Sequence, residues 1–280
     1  MRTLKIEKKH IPAIILAVAC VVIAILCGTK AIKEIKYKEL LPESEIINLE
    51  GTYIIADGGN GTSVPKNTFY AIDDLLTKQF TAIKIDARLT NDKKYVALAD
   101  SDISSLTKGK GEVGSYNYFD LLEFNIKNFK PRENPVIELV SEVSKYSYSN
   151  GISPIIYLHD FNKKAIKELM GKISEEGVSV YAYASDNLKE LQYIRKQSID
   201  VGLIYQVDEV TDEAIEACRA DGNMYICFNG KKAKQISTYI EKMEIEQIGY
   251  LCYDVETLDD IEDLYKLGVR RFITDTVKAG

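Results

Sequence analysis

Several apolar, strand-like runs of this sequence end in residues that can do chemistry. Asp57, Lys84, Asp86, Asp100 and His159 each lie at or just after the end of such a run. Carboxylates bind divalent cations and carry protons, and lysine and histidine bind phosphate groups or act as acids and bases. These residue types suit metal-assisted, acid–base or phosphate-binding chemistry at one site.

The strand-like runs alternate with amphipathic helical segments, which is the pattern of parallel βαβ units. The candidate strands are 53–57, 82–86, 95–99, 154–158, 178–182, 201–205, 224–228, 248–252 and 271–275. The helical segments are 163–176, 187–197, 211–220, 231–243 and 258–267, with a further helix opening near residue 68. In a closed (β/α)8 barrel the carboxyl ends of the strands meet at one mouth. Such a barrel needs eight strands, so one of the nine candidates is accessory or is not a strand.

Four short motifs and the C-terminus resemble the glycerophosphodiester phosphodiesterase family. That family has Ala-His-Arg-Gly after its first strand, Pro-Glu-Asn-Thr at its first helix, Glu-Leu-Asp on its second strand and His-Asp after its third. Here the same places read Ala-Asp-Gly-Gly (56–59), Pro-Lys-Asn-Thr (65–68), Lys-Ile-Asp (84–86) and Ala-Asp (99–100), and 268–275 is similar to the family's closing Gly-Val-Asp-Gly-Ile-Ile-Thr-Asp. The resemblance covers residues 51–280. It implies a distorted TIM-type (β/α)8 barrel, α/β in class, without a helix in the short connection 90–94 and with an insertion after the third strand that overhangs the site.

The resemblance also implies a phosphoric diester hydrolase that uses two histidines as acid and base and a divalent cation, such as Mg or Ca, held by three carboxylates. The two histidines correspond to Asp57 and Ala99, and the three carboxylates to Lys84, Asp86 and Tyr157. Only one of these five positions keeps its chemistry. One carboxylate beside a lysine is a poor ligand set for Mg²⁺ or Ca²⁺, which take several oxygen ligands.

The family's phosphate-binding positions are changed as well. Its arginine corresponds to Gly58, its lysine beyond the fourth strand to His159, and the glutamate of the helix motif to Lys66. We therefore expect no catalytic residue, no metal ligand and no cofactor. The candidates for ligand binding at the mouth are Asp57, Gly58, Gly59, Lys66, Asn67, Lys84, Asp86, Asp100, Tyr157 and His159.

Several of these candidates have a structural alternative. Lys84 is predicted to take the place of the lost metal between Asp57 and Asp86, or else to reach solvent without a partner. His159 either faces the mouth or is a solvated residue at the barrel rim. The Gly-rich turn 58–61 either binds an anion through its N–H groups or uses its glycines only for the turn. Four tyrosines near strand ends either line a polar pocket or are ordinary strand residues: Tyr157, Tyr183, Tyr205 and Tyr253.

The N-terminal part of the chain predicts a membrane anchor. Residues 11–29 contain no charged side chain, and at about 1.5 Å per residue they approach the roughly 30 Å hydrocarbon thickness of a bilayer. We expect a short tail (1–10), a transmembrane helix (11–29), a stalk (30–50) and the barrel domain (51–280). A cleaved signal peptide is the alternative, and a lipoprotein cysteine is a weaker one. Lysines flank both ends of the span almost equally, and the short tail favours a single-pass protein with an extracytoplasmic domain.

Composition limits the possible partners. The chain has 280 residues, of which 46% are hydrophobic and 28% charged, and a net charge of −6, which excludes a broad basic surface for nucleic acid. Cys20 and Cys27 lie in the predicted span, and Cys218, Cys227 and Cys252 form no CxxC or metal pattern and are expected in the core.

The sequence thus predicts a membrane-anchored, catalytically degenerate barrel that binds a phosphate-bearing ligand, a surface-polymer component or a partner protein. The alternative is an active hydrolase of glycerophosphodiesters, in lipid metabolism, with a site rebuilt from Asp57, Asp86, Asp100, His159 and Asp275.

Overall fold

Eight parallel strands close into a barrel in the computed structural model, which describes residues 46, 47, 49–61, 64–127, 129 and 135–279. The strands in chain order are β1 (Ile46–Ile47), β2 (Tyr53–Asp57), β3 (Ala82–Leu89), β4 (Tyr95–Ala97), β5 (Ser153–Leu158), β6 (Ala182–Ser185), β7 (Gly202–Val207), β8 (Met224–Asn229), β9 (Tyr250–Tyr253), β10 (Arg271–Thr274) and β11 (Lys278–Ala279). Around the barrel the order is β2, β3, β5, β6, β7, β8, β9 and β10, and β10 pairs with β2 to close the ring. The predicted (β/α)8 barrel is confirmed.

The accessory member of the nine candidates is β4. It pairs antiparallel with β3, with Leu89 opposite Tyr95, so the two strands form a hairpin. An antiparallel neighbour needs no crossover, and this is why the short connection 90–94 suffices. The crossover from β3 to β5 is instead supplied by a helix that the sequence did not reveal, Val140–Ser149.

Eight α-helices lie in the described part of the chain. They are α1 (Phe69–Thr77), α2 (Tyr118–Leu121), α3 (Val140–Ser149), α4 (Lys163–Glu175), α5 (Leu188–Gln197), α6 (Asp212–Asp221), α7 (Ile236–Ile245) and α8 (Leu258–Lys266). The side chains of Thr68, Asn162, Thr211 and Thr257 cap their helices by accepting a hydrogen bond from a first-turn N–H group. The predicted helix 231–243 begins as a 3-10 turn, Gly230–Gln235, before α7.

The predicted strand 178–182 is placed wrongly, because the observed strand β6 begins only at Ala182. Gly177 adopts a left-handed φ of 68° directly after α4, and the Val178 N–H group donates to the Ile173 carbonyl. Val178 therefore belongs to the apolar contact that closes a helix C-terminus. Its β-branched side chain is buried for that reason and not as part of a strand.

The side chains inside the barrel form three layers, because alternate residues of each strand point inward. The middle layer is apolar and is formed by Ile55, Ile155, Ala182, Ala184, Ile204, Cys227, Leu251 and Ile273. Towards the carboxyl ends of the strands lie Asp57, Lys84, Asp86 and Tyr157, and towards their amino ends lie Tyr53, Tyr225 and Arg271. The larger core lies between the strands and the surrounding helices. Cys218, Cys227 and Cys252 are buried free thiols, as predicted.

The segment between β4 and α3 forms a small lobe with its own core. Val96, Leu98, Ile103, Val113, Leu121 and Ile137 pack together in it. At the other side of the barrel β10 is followed by β11, which pairs in parallel with β1.

No helix in the described residues is long and apolar enough to cross a membrane. The predicted transmembrane helix (11–29), and most of the predicted stalk (30–50), lie outside those residues. The first strand of the barrel, β2, begins at Tyr53.

Candidate functional site

Strand register brings the central charged residues of the site together. Asp57 at the end of β2 pairs with Lys84 on β3, and Asp86 on β3 pairs with Tyr157 on β5. The Lys84 ammonium lies 2.6 Å from Asp57 Oδ1 and 3.2 Å from Asp86 Oδ1. The predicted contact of Lys84 with both carboxylates is therefore present.

Asp86 is buried, with 3% of its surface exposed, and both of its carboxylate oxygens have partners. Oδ1 contacts His159 Nε2 at 2.9 Å as well as Lys84, and Oδ2 accepts a hydrogen bond from Asn67 Nδ2 at 3.1 Å. Burial alone would raise the pKa of Asp86, but the Lys84 ammonium and the contacts with His159 and Asn67 outweigh it and hold that pKa well below its usual range. Asp86 is therefore ionised at neutral pH.

Lys84 has the complementary environment. Burial alone would lower the pKa of its ammonium group, but the charges of Asp86 and Asp57 outweigh this effect and raise the pKa above its ordinary value. The ammonium group also lies 5.2 Å from the centre of the Tyr157 ring, within the range of a cation–π contact. Lys84 is thus positively charged at neutral pH and is in contact with Asp57, Asp86 and the Tyr157 ring.

Asn67 holds Asp86 from the side of α1. Its Oδ1 accepts the Asp86 N–H at 2.9 Å, and its own N–H donates to the Gly58 carbonyl at 2.7 Å. Both Asn67 (φ 59°) and Gly58 (φ 71°) adopt left-handed backbone conformations. Asparagine tolerates this region better than most residues, and a Cβ at Gly58 would lie 3.1 Å from Asn67 Nδ2. These two residues therefore fix the loop that carries Lys66.

Lys66 lies at the outer rim of this cluster. Its ammonium is 2.6 Å from Asp275 Oδ2, beyond the end of β10, and 3.7 Å from Asp57 Oδ2. Its side chain is 37% exposed, against 15% for Lys84. Lys66 can therefore exchange partners at little cost, whereas Lys84 cannot.

His159 faces the mouth, as one of the two hypotheses predicted. Its ring packs edge-on against Tyr157 with 4.6 Å between ring centres, and its side chain is 21% exposed. Burial raises the pKa of the Tyr157 hydroxyl, so this group stays protonated. His159 is the only histidine among the residues that the structure describes.

The remaining predicted residues are placed differently. Asp100 is exposed and makes no hydrogen bond or ion pair within the described part of the chain. Gly59 is buried, and its N–H and that of Asn60 have no acceptor among the described residues. Tyr183 packs in the outer core, so it does not line the mouth; Tyr253 instead donates a hydrogen bond from its hydroxyl to Asp208.

Sequence reasoning missed two further groups of charged residues. Lys231 lies between Asp254 and Glu256, at 2.9 and 2.6 Å, and Lys232 pairs with Asp208 at 2.8 Å. These residues follow β7, β8 and β9, and a cavity of about 450 Å³ lies beside them. The sequence could have indicated them, because each follows the end of a predicted strand.

The second missed group contains a buried carboxyl. Glu190 on α5 is 1% exposed, and Ser185 Oγ donates to its Oε2 at 2.6 Å. Its Oε1 has no hydrogen-bond partner within the described residues. Burial raises the pKa of Glu190 to about 7. No sequence signal marked this residue, because an acid in the first turn of a helix is common.

The charged groups at the mouth are paired with one another, with three carboxylates against two ammonium groups. Asp57, Asp86 and Asp275 face Lys66 and Lys84 in one continuous set of ion pairs, with His159 at its edge. Such an arrangement can bind a small polar ligand through the exposed Lys66 and His159. It offers one imidazole for proton transfer.

Comparison with known proteins agrees with this architecture. Residues 59–279 match the model of the glycerophosphoryl diester phosphodiesterase family. A glycerophosphodiester phosphodiesterase of Caldanaerobacter subterraneus subsp. tengcongensis is 24% identical over 233 residues, covering 80% of this chain and 94% of the relative. One from Bacillus altitudinis is 23% identical over 221 residues, covering 68% and 90%.

Solved structures share the fold. An Oleispira antarctica phosphodiesterase, in complex with the product sn-glycerol-3-phosphate, superposes with a TM-score of 0.72 at 15% identity, covering 80% of this chain and 93% of that one. The glycerophosphodiester phosphodiesterase of Thermotoga maritima gives a TM-score of 0.66 at 13% identity, covering 82% and 96%. The chain therefore belongs to the glycerophosphoryl diester phosphodiesterase family.

Proposed function

We propose that this protein is a catalytically inactive member of its family and that its barrel mouth binds a small phosphate-bearing ligand. One observation carries the proposal. The ammonium group of Lys84 lies 2.6 Å from Asp57 and 3.2 Å from Asp86, and the family resemblance implies a metal-binding glutamate at position 84. A fixed positive charge thus stands where the resemblance implies a cation.

The residues present do not fit a divalent cation. Of the three implied carboxylates the chain keeps Asp86, and both oxygens of Asp86 are already engaged by Lys84, His159 and Asn67. The described residues contain no group of three or more histidine, cysteine, aspartate or glutamate side chains placed to hold a metal. Mg²⁺ and Ca²⁺ take six or more oxygen ligands, which this set does not supply.

The proton carriers do not fit the family's reaction either. The resemblance implies histidines at Asp57 and Ala99, and a reaction that needs both an acid and a base. His159 is a single imidazole, and its Nε2 is occupied by Asp86. We infer that the chain lacks phosphodiesterase activity.

Binding of a phosphate group is supported by three features of the rim. Lys66 is exposed and can leave Asp275 for an incoming anion, and His159 borders the same space. The N–H groups of Gly59 and Asn60 have no acceptor in the described part of the chain, and N–H groups in such a turn can donate hydrogen bonds to an anion. The sn-glycerol-3-phosphate complex of the Oleispira antarctica structure makes that compound a suitable probe. If sn-glycerol 3-phosphate does not bind, the alternative ligand is a surface-polymer component or a partner protein.

The active enzyme remains a second candidate because Asp86 and His159 form a contact of 2.9 Å, an arrangement that suits a general base. The purified full-length chain is therefore incubated with glycerophosphocholine and Mg²⁺ or Ca²⁺, and released glycerol phosphate is measured. We expect no turnover above that of the Asp86→Asn variant. Metal-dependent turnover that Asp86→Asn abolishes would establish the hydrolase instead.

Calorimetric titration with sn-glycerol 3-phosphate in the presence of a chelator tests binding directly. We expect metal-independent binding that is weakened by Lys66→Met and by His159→Ala. Lys266→Met is the matched control, because Lys266 is 67% exposed and lies in the last turn of α8, at the end of the barrel opposite the mouth. Equal affinity of all three variants and the unaltered chain would refute the proposed site.

We further infer that residues 11–29 anchor the protein as a single-pass helix with the barrel outside the cytoplasm. Resistance of the chain to alkaline extraction, and modification of barrel lysines in intact cells by a membrane-impermeant reagent, are the expected results. Protection of those lysines would reverse the orientation.

A further inference from the structure

The Gly-rich turn 58–61 has two N–H groups without an acceptor in the described part of the chain. They belong to Gly59 and Asn60, and both residues are buried. Buried N–H groups are nearly always paired, so two unpaired ones in a row at a candidate site indicate an acceptor from outside the chain. A Cβ at Gly59 would lie 3.7 Å from Lys66 Cγ. The two donors therefore adjoin the side chain that carries the exposed cation of the mouth.

The first half of the turn is anchored to strand β3 and to the start of helix α1. The Gly58 N–H donates to the Lys84 carbonyl at 2.9 Å, and the Gly58 carbonyl accepts the Asn67 N–H at 2.7 Å. The peptide bond between Gly58 and Gly59 is trans, so its carbonyl and its N–H point in opposite directions. The Gly59 N–H is thus directed away from Asn67 and stays free for another acceptor.

The second half of the turn is anchored by Lys78, the residue that follows α1. Its ammonium group donates to the Asn60 carbonyl at 2.7 Å and lies 2.7 Å from Asp74 Oδ2. Both side chains of this ion pair are buried, with 8% of Lys78 and 2% of Asp74 exposed. The Asn60 side chain also donates to the Val277 carbonyl. The peptide units on both sides of the two free N–H groups are therefore held in place.

Support of helix α1 does not explain the pair of Asp74 and Lys78. Ion pairs four residues apart stabilise helices on exposed surfaces, and only by a few tenths of a kcal/mol. A buried ion pair contributes little stability compared with apolar side chains of similar volume. Within the described residues, the polar contact that these two side chains make outside the pair is with the turn. This contact points to a role at the mouth.

We propose that Lys78 and Asp74 are positioning residues, which hold the turn 58–61 so that the N–H groups of Gly59 and Asn60 bind the phosphate group of a ligand beside Lys66. A donor pair whose peptide units are already fixed loses little conformational freedom when the anion binds. The inference rests on the proposed binding of a phosphate-bearing ligand, and it assigns part of that binding to the backbone of the turn.

The Gly59 N–H can be observed by itself. Residues 58 and 59 are the only Gly-Gly pair in the sequence, so glycine labelled with 13C at the carbonyl and with 15N gives one carbonyl-coupled amide signal, that of Gly59. The full-length chain in detergent micelles is titrated with sn-glycerol 3-phosphate in the presence of a chelator. We expect the Gly59 proton signal to move downfield, with the dissociation constant that calorimetry gives.

Removing the ion pair should separate the turn from the ligand. Lys78→Met leaves the charge of Asp74 buried without a partner, so Asp74→Leu combined with Lys78→Met, which replaces the pair by apolar side chains, is the second variant. We expect both variants to bind sn-glycerol 3-phosphate about tenfold more weakly, with a smaller shift of the Gly59 signal. Lys172→Met is the matched control and should bind like the unaltered chain. Lys172 also forms an ion pair of 2.7 Å, with Glu142, but it lies in the last turn of α4, opposite the mouth.

Three outcomes would contradict the inference, and they separate it from the proposed function. If sn-glycerol 3-phosphate binds and the Gly59 signal does not move, the mouth binds phosphate without the turn, and only this inference is wrong. If the double variant keeps both the affinity and the Gly59 shift of the unaltered chain, Lys78 and Asp74 do not position the turn. If the unaltered chain does not bind this compound, the proposed ligand site itself is refuted.

Discussion

Replacing Lys84 with methionine tests whether its ammonium group holds the mouth together. The change keeps the length of the side chain and removes the charge that lies 2.6 Å from Asp57 and 3.2 Å from Asp86. Removing one partner of a buried ion pair costs about 3–5 kcal/mol, because the remaining charge is left without compensation. Asp86 keeps its contacts with His159 at 2.9 Å and with Asn67 at 3.1 Å, so we expect a loss near the lower end, about 3 kcal/mol.

The pH dependence of this loss identifies its cause. In the native protein the pKa of Asp86 is held below its ordinary 3.8, so Asp86 stabilises the fold above that pH and the contribution is lost as the pH falls. The pKa of Lys84 is raised above 10.5, so its contribution is present below pH 10.5 and is lost as the pH rises further. In Lys84→Met the ammonium group no longer offsets burial, so we expect the pKa of Asp86 to be higher than in the native protein. The stability of this variant should therefore increase, relative to the native protein, as the pH falls from 7 towards 4.

Urea unfolding followed by far-ultraviolet circular dichroism measures the effect. With a slope of about 3 kcal/mol per molar, a loss of about 3 kcal/mol lowers the midpoint by about 1 M urea at pH 7. Lys66→Met is the matched control, since Lys66 belongs to the same cluster but is 37% exposed, and exposed pairs contribute about 0–1 kcal/mol. If the two variants unfold at the same urea concentration, or if the loss in Lys84→Met is the same at pH 4.5 and pH 7, the reasoning is wrong.

Three further predictions concern other parts of the barrel. Burial raises the pKa of Glu190 from 4.5 to about 7, so the fold loses stability as the pH rises through this interval. Glu190→Gln should therefore increase the free energy of unfolding by up to about 3 kcal/mol at pH 8 and by little at pH 4. Urea unfolding at both pH values measures this difference. A Cβ at Gly249 would lie 2.3 Å from the Tyr225 ring, so Gly249→Ala should cost about 1–3 kcal/mol, and an equal cost in a Tyr225→Ala background would contradict this cause. Lys84→Glu combined with Tyr157→Glu should create a Ca²⁺ site. At a free Ca²⁺ concentration of 100 times the dissociation constant, binding should add about 2.7 kcal/mol to the free energy of unfolding of this variant and nothing to that of the native chain. A folded variant whose melting temperature does not change with Ca²⁺ would show that the mouth is otherwise unlike that of its relatives.

The contact of Lys84 with Asp57 and Asp86 could be predicted because it depends on strand alternation. Residues two apart on a strand share a face, and the neighbouring strand in a barrel ends at the same level. Counting two residues back along each strand from Ile55 and Ile273 of the middle layer would have identified Tyr53 and Arg271 as inward-facing residues at the end of the barrel where the strands begin. The alternation of inward and outward side chains along a strand depends only on residue spacing, so it can be read directly from the sequence.

Other parts of the site could not be read in this way. The role of Asn67 depends on one left-handed residue and on a carboxamide that reaches a strand 19 positions away, and neither has a periodic signal. Three of the five buried residues of helix α3 are serines, so its amphipathic pattern is weak. Val178 was assigned to a strand because a buried β-branched residue has the same composition in a strand and after a helix end.

If the protein is inactive, as we propose, the charges at the mouth explain how the fold can persist without the implied chemistry. Three carboxylates and a divalent cation, the set that the family resemblance implies, have a combined charge of −1. Lys84 with Asp57 and Asp86 also has a combined charge of −1, so the barrel mouth meets the same electrostatic demand with protein groups alone. The two arrangements differ in reactivity, because a divalent cation polarises a phosphoryl oxygen as a Lewis acid, whereas an ammonium group already bonded to two carboxylates does not. Replacing the cation by Lys84 does not change the apolar middle layer of the barrel. The barrel can therefore be stable whether or not its mouth is catalytic.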